Sequence, residues 1–254
     1  MAQASVRVEA VDISYTRAGR VTQAVRDVSF EVGANEFTAM VGPSGCGKTT
    51  LLHAIGGLVP ISTGSIQCTR QHNGPGPDRI MVFQEQSLFK WRTVEANVAF
   101  ALECNRVPKA QQAEVIERLL RQVGLWHRRD VYPFQLSGGM KQRVAIARAL
   151  ASGAEVLLMD EPFGALDAQT RLAMQTFLLE LWQETRKTVI FVTHDIDEAI
   201  YLADRILVMS AGPGTIQASI PIELARPRHP DVLVSDAFIA CKRRIFDEIK
   251  ATAS

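Results

Sequence analysis

The sequence predicts an α/β fold with a mostly parallel sheet, an N-terminal antiparallel β subdomain and an inserted α-helical subdomain. Three observations support this prediction: short apolar strands alternate with helices, two N-terminal segments alternate apolar and polar residues, and one long stretch is helical throughout. Alternating strands and helices are typical of a parallel sheet with right-handed crossovers. A chain of 254 residues is long enough for one such domain with a smaller lobe inserted.

The first half of the chain supplies strands on both sides of a glycine-rich loop. Two segments near the N-terminus have the period-two alternation of half-buried strands, with a turn-like stretch between them. A short apolar strand then precedes the glycine-rich loop and an apolar helix, and a run of Asn, Gly and Pro within 69–78 predicts another loop. The strands predicted in this half are residues 6–13, 25–32, 36–41 and 79–83.

The second half begins with helices and then returns to alternation. The stretch from about 93 to 151 includes an amphipathic helix at 109–122, and we interpret the whole stretch as an inserted lobe. Buried strands are predicted at 155–159 and 188–193, on either side of an amphipathic helix at 168–186. The apolar face of that last helix carries Met174, Phe177, Leu178, Leu181 and Trp182.

These segments divide one domain, residues 1–254, into three predicted parts. A core with the β subdomain spans about 6–92 and 152–220, the helical subdomain spans about 93–151, and a helical tail occupies 221–254. The tail predicts a helix over 231–250. One face of this helix carries Phe238, Cys241, Ile245, Phe246 and Ile249.

Composition excludes several classes of protein. Apolar residues make up 47% and charged residues 22%, as in ordinary folded proteins, and a net charge of +1 gives no global basic field, so no nucleic-acid partner is expected. The four cysteines form no CxxC pair, which argues against a zinc site or a disulfide framework and suits a reducing compartment. The first residues lack the long apolar run of a signal peptide, and the sequence has no apolar stretch of about 18 residues or more, so we expect a cytoplasmic protein that reaches a membrane only through a partner.

A phosphate-binding loop is predicted between the strand at 36–41 and the helix that follows. Glycines let backbone N–H groups point inward at phosphate, and the helix N-terminus adds a partial positive charge. The pattern G-x-x-x-x-G-K-[ST] is matched by Gly42-Pro43-Ser44-Gly45-Cys46-Gly47-Lys48-Thr49. In this pattern Lys48 can reach the β- and γ-phosphates of a nucleotide, the Thr49 hydroxyl can bind Mg²⁺, and Cys46 need act only through its backbone. The core is therefore predicted to be that of a P-loop NTPase.

Two acids, Asp160 and Glu161, follow the buried strand at 155–159. In a parallel sheet the carboxyl ends of the strands form the edge where ligands bind. Asp160 can hold Mg²⁺ through water, while Glu161 can polarise the water that attacks the phosphate. A Pro- and Gly-containing turn then leads to Asp167, for which capping of the next helix and a direct catalytic role are both open.

A second anion-binding helix start is predicted well beyond the first. Ser137 is a good N-cap, and Gly138 and Gly139 expose backbone N–H groups. One nucleotide does not need two such cradles far apart in sequence. A head-to-tail dimer resolves this, because each ATP could lie between the Lys48 loop of one chain and the Ser137 loop of the other. The motif reads Leu136-Ser137-Gly138-Gly139-Met140-Lys141-Gln142-Arg143.

With these motifs the chain resembles the ATP-binding-cassette (ABC) ATPases. The stretch at 136–143 is similar to their signature motif, and the resemblance covers about residues 6–220 with every expected element in order. It implies ATP hydrolysis with ATP and Mg²⁺ as cofactors, in a dimer of two copies that closes on ATP. The resemblance implies that the catalytic residues are Glu161, His194 and Lys48.

The resemblance also implies the rest of the site. Tyr15 corresponds to the family's aromatic adenine platform, and Gln84 to the glutamine that links Mg²⁺ to a membrane partner. The implied metal ligands are Thr49, Gln84 and Asp160. The implied ATP contacts within one chain are Tyr15, Gly42, Pro43, Ser44, Gly45, Cys46, Gly47, Lys48, Thr49, Thr50 and Gln84. The implied contacts to the ATP of the other copy are Ser137, Gly138, Gly139, Gln142 and Asp167.

The chain is similar in particular to the nitrate, sulfonate and taurine branch of importer ATPases. The segments that carry this similarity are 74–79, 91–93, 161–167 and 194–199. The similarity implies bacterial uptake of a small, often anionic solute, with permease subunits in the membrane, a solute-binding protein, and a peripheral position at the cytoplasmic face of the inner membrane. Lys90 stands where the branch often has proline, close to the expected permease contact.

Two alternative functions are weighed against transport. A cassette ATPase acting in DNA repair, translation or cluster assembly would usually carry a second cassette, a long coiled coil, zinc cysteines or basic extensions, and the sequence has none of these. An unrelated P-loop kinase or GTPase would leave the glycine motif at 136–143 unexplained. The transporter ATPase is therefore the favoured interpretation.

Overall fold

The computed structural model describes residues 4–17, 20–68 and 76–251, which form two sheets and the helices around them. The strands are β1 (Ala4–Arg17), β2 (Arg20–Gly33), β3 (Phe37–Val41), β4 (Thr63–Cys68), β5 (Arg79–Val82), β6 (Val156–Asp160), β7 (Thr188–Val192), β8 (Arg205–Met209) and β9 (Ile216–Pro221). The helices are α1 (Lys48–Ile55), α2 (Val94–Cys104), α3 (Lys109–Gln122), α4 (Gly138–Ala151), α5 (Ala168–Thr185), α6 (Ile196–Leu202) and α7 (Asp236–Ala251).

The larger sheet has six strands in the order β5-β6-β7-β3-β8-β9. All neighbours pair in parallel except β9, which runs antiparallel to β8 at the edge. Every residue of β3, β6 and β7 is buried, because α5, α6 and α7 pack on one face of the sheet while α1 and strands β1, β2 and β4 pack on the other. This burial on both faces explains their continuous apolar runs. The carboxyl ends of these three adjacent strands therefore meet at one edge, next to the start of α1.

The smaller sheet is antiparallel, in the order β2-β1-β4. The predicted N-terminal antiparallel subdomain is therefore confirmed, and both strands extend beyond the predicted ranges. Strand β4 has no counterpart in the sequence analysis, because only Ile66 and Cys68 among its side chains are buried and its apolar pattern is short. Of the predicted loop at 69–78, residues 69–75 lie outside the described part of the chain.

Helices α2, α3 and α4 pack together around an apolar core of their own. Its fully buried members include Val94, Val98, Leu120 and Val144. Helix α3 coincides with the predicted helix at 109–122. The division of the chain at residues 93 and 151 stays a prediction.

The C-terminal part contains α6, β8 and β9, which the sequence analysis did not identify, and then α7. Phe238 and Ile245 of α7 are buried and Cys241 and Ile249 are partly buried, whereas Phe246, predicted on the same face, is 42% exposed. Within residues 4–17, 20–68 and 76–251, no helix has both the length and the hydropathy that crossing a bilayer requires.

Candidate functional site

The glycine-rich loop between β3 and α1 forms a cradle closed by Lys48. Gly47 has a φ of 97°, and a Cβ at this position would lie 2.8 Å from the Ala24 carbonyl oxygen, so only glycine fits. The side chain of Lys48 is buried, and its Nζ donates to the carbonyl oxygens of Gly42 at 2.9 Å and Pro43 at 3.0 Å. The loop thus holds its ammonium group with neutral carbonyls, which an anion can replace.

A cavity of about 270 Å³ opens over this loop. Glu161, from the end of the sheet, lines it together with the loop, so the carboxylate predicted as the base faces the predicted phosphate cradle. The complete lining is Ala24, Ser44, Gly45, Gly47, Lys48, Thr49, Thr50 and Glu161.

The oxygen atoms of Thr49 and Asp160 meet at the floor of the site. Thr49 Oγ1 donates to Asp160 Oδ1 at 2.9 Å, although the two residues are 111 positions apart. A hydroxyl and a carboxylate are oxygen ligands of the kind that Mg²⁺ prefers, and this ion usually takes only one or two carboxylates together with substrate phosphates and water. The donor set therefore fits Mg²⁺.

Glu161 sits in a strained turn directly after β6. Its φ is 42°, in the left-handed region that non-glycine residues rarely adopt and that costs about 1–3 kcal/mol. Its backbone N–H donates to the Val192 carbonyl of β7 at 2.9 Å. Because of this turn, the side chains of Asp160 and Glu161 point in different directions. The Asp160 carboxylate contacts Thr49, and the Glu161 carboxylate contacts His194.

His194 contacts Glu161 from the end of β7. His194 Nδ1 lies 3.0 Å from Glu161 Oε2, and the His194 side chain is 62% exposed. Because an ionised carboxylate can only accept, the imidazole Nδ1–H is the donor in this contact. The structure therefore brings together two of the three residues predicted as catalytic, and Lys48 lines the cavity that Glu161 faces.

Tyr15 and Gln84 lie at the periphery of this group. Tyr15 on β1 is 43% exposed, and its hydroxyl lies 3.5 Å from Thr50 Oγ1 on α1. A Cβ added to Gly164 would lie 3.1 Å from Gln84 Nε2 and 3.6 Å from Glu161 Oε2, so both side chains border Gly164. The roles predicted for Tyr15 and Gln84 stay predictions.

The residues expected to act on the other copy's ATP form a second group. Ser137 caps α4, and its hydroxyl accepts from the Met140 N–H at 3.3 Å. A Cβ on Gly138 would come within 3.0 Å of Leu166, and one on Gly139 within 3.0 Å of Thr170, so both glycines allow α4 to pack closely against the start of α5. Ser137, Gly139 and Thr170 line a cavity of about 430 Å³.

Asp167 and Gln142 belong to the same predicted group but differ in exposure. The Asp167 carboxylate caps α5 by accepting from the Thr170 N–H at 3.0 Å, and this hydrogen bond lowers the pKa of Asp167 below its ordinary value. Capping, one of the two interpretations of Asp167, is thus observed, while its role toward a second copy stays a prediction. Gln142 is completely buried, so the ATP contact predicted for it would require α4 to rearrange.

The two predicted groups do not meet within one chain. Among the described residues, no hydrogen bond or ion pair joins the Ser137 helix start to the Lys48 loop, and the two line separate cavities. Each group contains the N-terminus of a helix, where the first backbone N–H groups have no partner within the helix and can bind an anion. A second copy is the arrangement that would bring the two groups onto one nucleotide.

Two residues at the site were missed by the sequence analysis. His53 Nε2 lies 3.4 Å from Asp160 Oδ2, although the geometry does not make a hydrogen bond. The i, i+4 spacing of Thr49 and His53 on one helix face could have indicated this placement. Arg171 on α5 contacts Leu166 and Asp195, and no local sequence pattern predicts these contacts.

Comparisons with known proteins identify similar sequences and folds. Residues 25–164 match the profile of a family described as "ABC transporter". The taurine import ATP-binding protein TauB of Escherichia coli is 48% identical over 204 residues, which are 80% of this chain and 80% of that protein.

Two solved structures have the same fold. The ATP-binding cassette MJ0796, solved as a dimer in a post-hydrolysis state with ADP and Pi, matches with a TM-score of 0.75 and 29% identity over 87% of this chain and 100% of that one. The protein cbiO1 of Clostridium perfringens, part of the ABC transporter complex cbiONQ, matches with a TM-score of 0.78 and 25% identity over 97% of each chain.

Proposed function

The chain belongs to the ABC transporter family and is an ABC ATPase, and from this membership we propose that it drives an importer for a small solute. One observation supports the ATPase activity most directly: Glu161 and the Lys48 loop line the same cavity. The residues of this cavity suggest how the chain handles the nucleotide.

In the proposed mechanism each side chain has one task. Lys48 exchanges its two backbone carbonyl partners for phosphate oxygens, and the N-terminus of α1 adds its N–H groups. Glu161 orients the attacking water or takes its proton, and His194, 3.0 Å from that carboxylate, contacts the γ-phosphate. Because the loop and carboxylate are held in advance by backbone contacts, little reorganisation is needed at the moment of reaction.

Magnesium would be held by Thr49 and Asp160, with Gln84 nearby, and would neutralise charge on the phosphates. The hydrogen bond between Thr49 and Asp160 supports this assignment, because it already places the two oxygen donors together. Tyr15 would carry the adenine ring, and its closeness to Thr50 at the start of α1 supports that role.

We propose further that two copies sandwich the nucleotides head to tail. The separation of the Ser137 group from the Lys48 loop supports this arrangement, as does the dimeric form of the similar cassette MJ0796. ATP would close the dimer, and loss of the γ-phosphate would open it again. A permease can use such a two-state element.

The importer role rests on the relatives. TauB is named for taurine import, and cbiO1 is part of a transporter complex, so a membrane permease is the proposed partner and a solute-binding protein the proposed supplier of solute. The chain would sit at the cytoplasmic face of a bacterial inner membrane through that permease. The proposed solute belongs to the nitrate, sulfonate and taurine class.

The change Glu161→Gln tests the ATPase mechanism. We expect this variant to bind ATP and form a stable dimer while its turnover falls about a hundredfold or more, since a general base contributes about 10²–10⁴ in rate. Glu155→Gln, an exposed change just before the same strand, is the matched control and should keep wild-type turnover. Wild-type turnover in Glu161→Gln would exclude Glu161 as the base.

Purification from native membranes tests the importer role. The tagged chain is isolated from gently solubilised membranes, and its companions are identified by mass spectrometry. We expect a multi-span permease in comparable amount, whose cognate binding protein can then be screened with taurine, other sulfonates and nitrate. Recovery with ribosomal or DNA-repair proteins instead would overturn the transport role and leave the ATPase chemistry standing.

A further inference from the structure

Helices α5 and α6 start at two loops of the site, and each start is capped by an aspartate. Asp167 caps α5 at the segment expected to meet a second copy. Asp195 caps α6 through Oδ1, which accepts from the N–H groups of Asp197 at 2.9 Å and Glu198 at 3.2 Å, and it directly follows His194. A movement at either helix start therefore moves a residue of the candidate site.

Arg171 connects these two helix starts. Its Nη2 donates to the Leu166 carbonyl, one residue before Asp167, at 2.9 Å, and its Nη1 lies 3.8 Å from Asp195 Oδ2. The side chains of Arg171 and Asp195 are each about one-third exposed, at 33% and 35%. The guanidinium thus joins the two loops with separate nitrogen atoms of one planar fork, whereas a lysine would bring a single nitrogen to them.

A buried pair below Arg171 holds the two helices together. Gln175, one turn further along α5, donates from Nε2 to Glu198 Oε1 of α6 at 3.0 Å, and both residues are buried. Arg171 and Gln175 have the i, i+4 spacing that places them on one helix face. The Gln175–Glu198 contact joins the two helices one turn beyond their starts. Arg171 links the two loops at the helix starts themselves.

We propose that Arg171 is a positioning residue that couples the Asp167 segment to His194, and through His194 to Glu161. Arrival of a second copy at the Asp167 segment would move the Leu166 carbonyl, and Arg171 would pass that movement to the Asp195 cap. The imidazole and the Glu161 carboxylate, 3.0 Å apart, would then adopt the catalytic arrangement only in the paired state. This inference rests on the proposed function, because it assumes pairing of two copies on ATP.

The substitution Arg171→Lys tests this coupling. It keeps the charge but offers one nitrogen in place of the two that contact the loops, so we expect turnover to fall about tenfold to a hundredfold, as a small displacement of His194 from its catalytic position implies. ATP affinity and ATP-driven dimer formation in the Glu161→Gln background should stay within about twofold, since binding does not require the link. Asp195→Asn keeps the helix cap and removes the carboxylate from the other side of the link, so it should lower turnover in the same way.

A double-mutant cycle with His194→Ala separates coupling from a merely structural role. If Arg171 acts through His194, adding Arg171→Lys to His194→Ala should lower the remaining turnover by less than about threefold. The matched control Arg186→Lys, at the far end of α5, should keep wild-type turnover in both backgrounds.

Two results would overturn the coupling: wild-type turnover in Arg171→Lys, or the same fold loss with and without His194. Failure of the proposed function looks different, because wild-type protein would then show no ATP turnover or Glu161→Gln would not dimerise with ATP.

Discussion

Gln142 is a buried residue on α4 whose side-chain oxygen and nitrogen have no hydrogen-bond partner among the described residues. Such atoms are rare in folded proteins, because a buried polar group without a partner costs free energy. It lies five positions after the Ser137 cap, in the motif expected to face a second nucleotide. An amide without a partner in the single chain is suited to gain partners if α4 moves when two copies pair.

The change Gln142→Met should stabilise the isolated protein. It removes two unpaired buried polar atoms at similar volume, and we expect a gain of about 1–3 kcal/mol, or a Tm rise of about 2–4 °C for each kcal/mol. Scanning calorimetry measures this rise, and ATP turnover should fall if the amide is used on closure. The exposed change Gln111→Met on α3 should leave both unaffected, and an equal or lower Tm for Gln142→Met would show that the amide is paired.

Glu198 makes stability depend on pH. Burial raises the pKa of its carboxyl, against hydrogen bonds from Thr193 and Gln175 that lower it. A carboxyl with a higher pKa in the folded than in the unfolded chain stabilises the fold below the unfolded pKa, and this contribution is lost as pH rises through the folded pKa.

The variant Glu198→Gln should therefore not lose this stability as pH rises, because its amide does not ionise. We expect the Tm of the variant, relative to wild type, to increase as pH rises from about 4 to about 7, because only wild type then ionises a buried carboxyl. Thermal unfolding across this range measures the difference. Glu180→Gln, on the exposed side of α5, should show a flat difference, and a falling difference for Glu198→Gln would reverse the sign of the effect.

At the scale of elements, the end of α6 is held by a buried arginine of the tail. The Arg228 guanidinium donates to the carbonyl oxygens of Ile200 at 2.9 Å, Tyr201 at 3.1 Å and Ala203 at 2.8 Å, which have no partners within a helix that ends there. Burial lowers the pKa of Arg228 to about 10. The tail thus fixes the helix that follows His194.

Arg228→Lys should weaken this junction. The guanidinium reaches the α6 carbonyls through Nη1 and the Leu224 carbonyl through Nε and Nη2, whereas a lysine has one nitrogen for both sides. We therefore expect a loss of about 1.5–3 kcal/mol in the free energy of unfolding. Urea unfolding measures the loss, with the exposed Arg243→Lys on α7 as the matched control. If the two variants were equally stable, the guanidinium bonds would contribute nothing to the junction.

At the scale of the whole molecule, the two candidate half-sites predict complementation between inactive copies. Lys48→Ala and Ser137→Glu should each abolish turnover alone, the second by placing negative charge where phosphate is expected. In an equal mixture, half of the dimers are mixed and carry one intact site of two, so turnover should recover to about a quarter of wild type. A mixture no more active than its parents would show that each site is built within one copy.

The sequence by itself determined the fold class, which the structure and the comparisons confirm, and the local form of the site. The Lys48 loop, the strand ending in Asp160 and the capped start at Ser137 were readable because each is a contiguous segment whose backbone geometry depends on its own glycines, caps and apolar run. The short α6, β4 and the edge strand β9 were not identified, because their few residues carry little periodic signal.

Only the tertiary structure decided which of these segments meet. Glu161 and His194 are 33 positions apart, and the two helix starts joined by Arg171 are separated by helix α5 and strand β7, so no local pattern specifies their distances. The burial of Gln142 and the exposure of Phe246 likewise depend on what packs against α4 and α7. Such contacts arise from the order of strands in the sheet and the packing of helices on it, and a linear pattern contains neither.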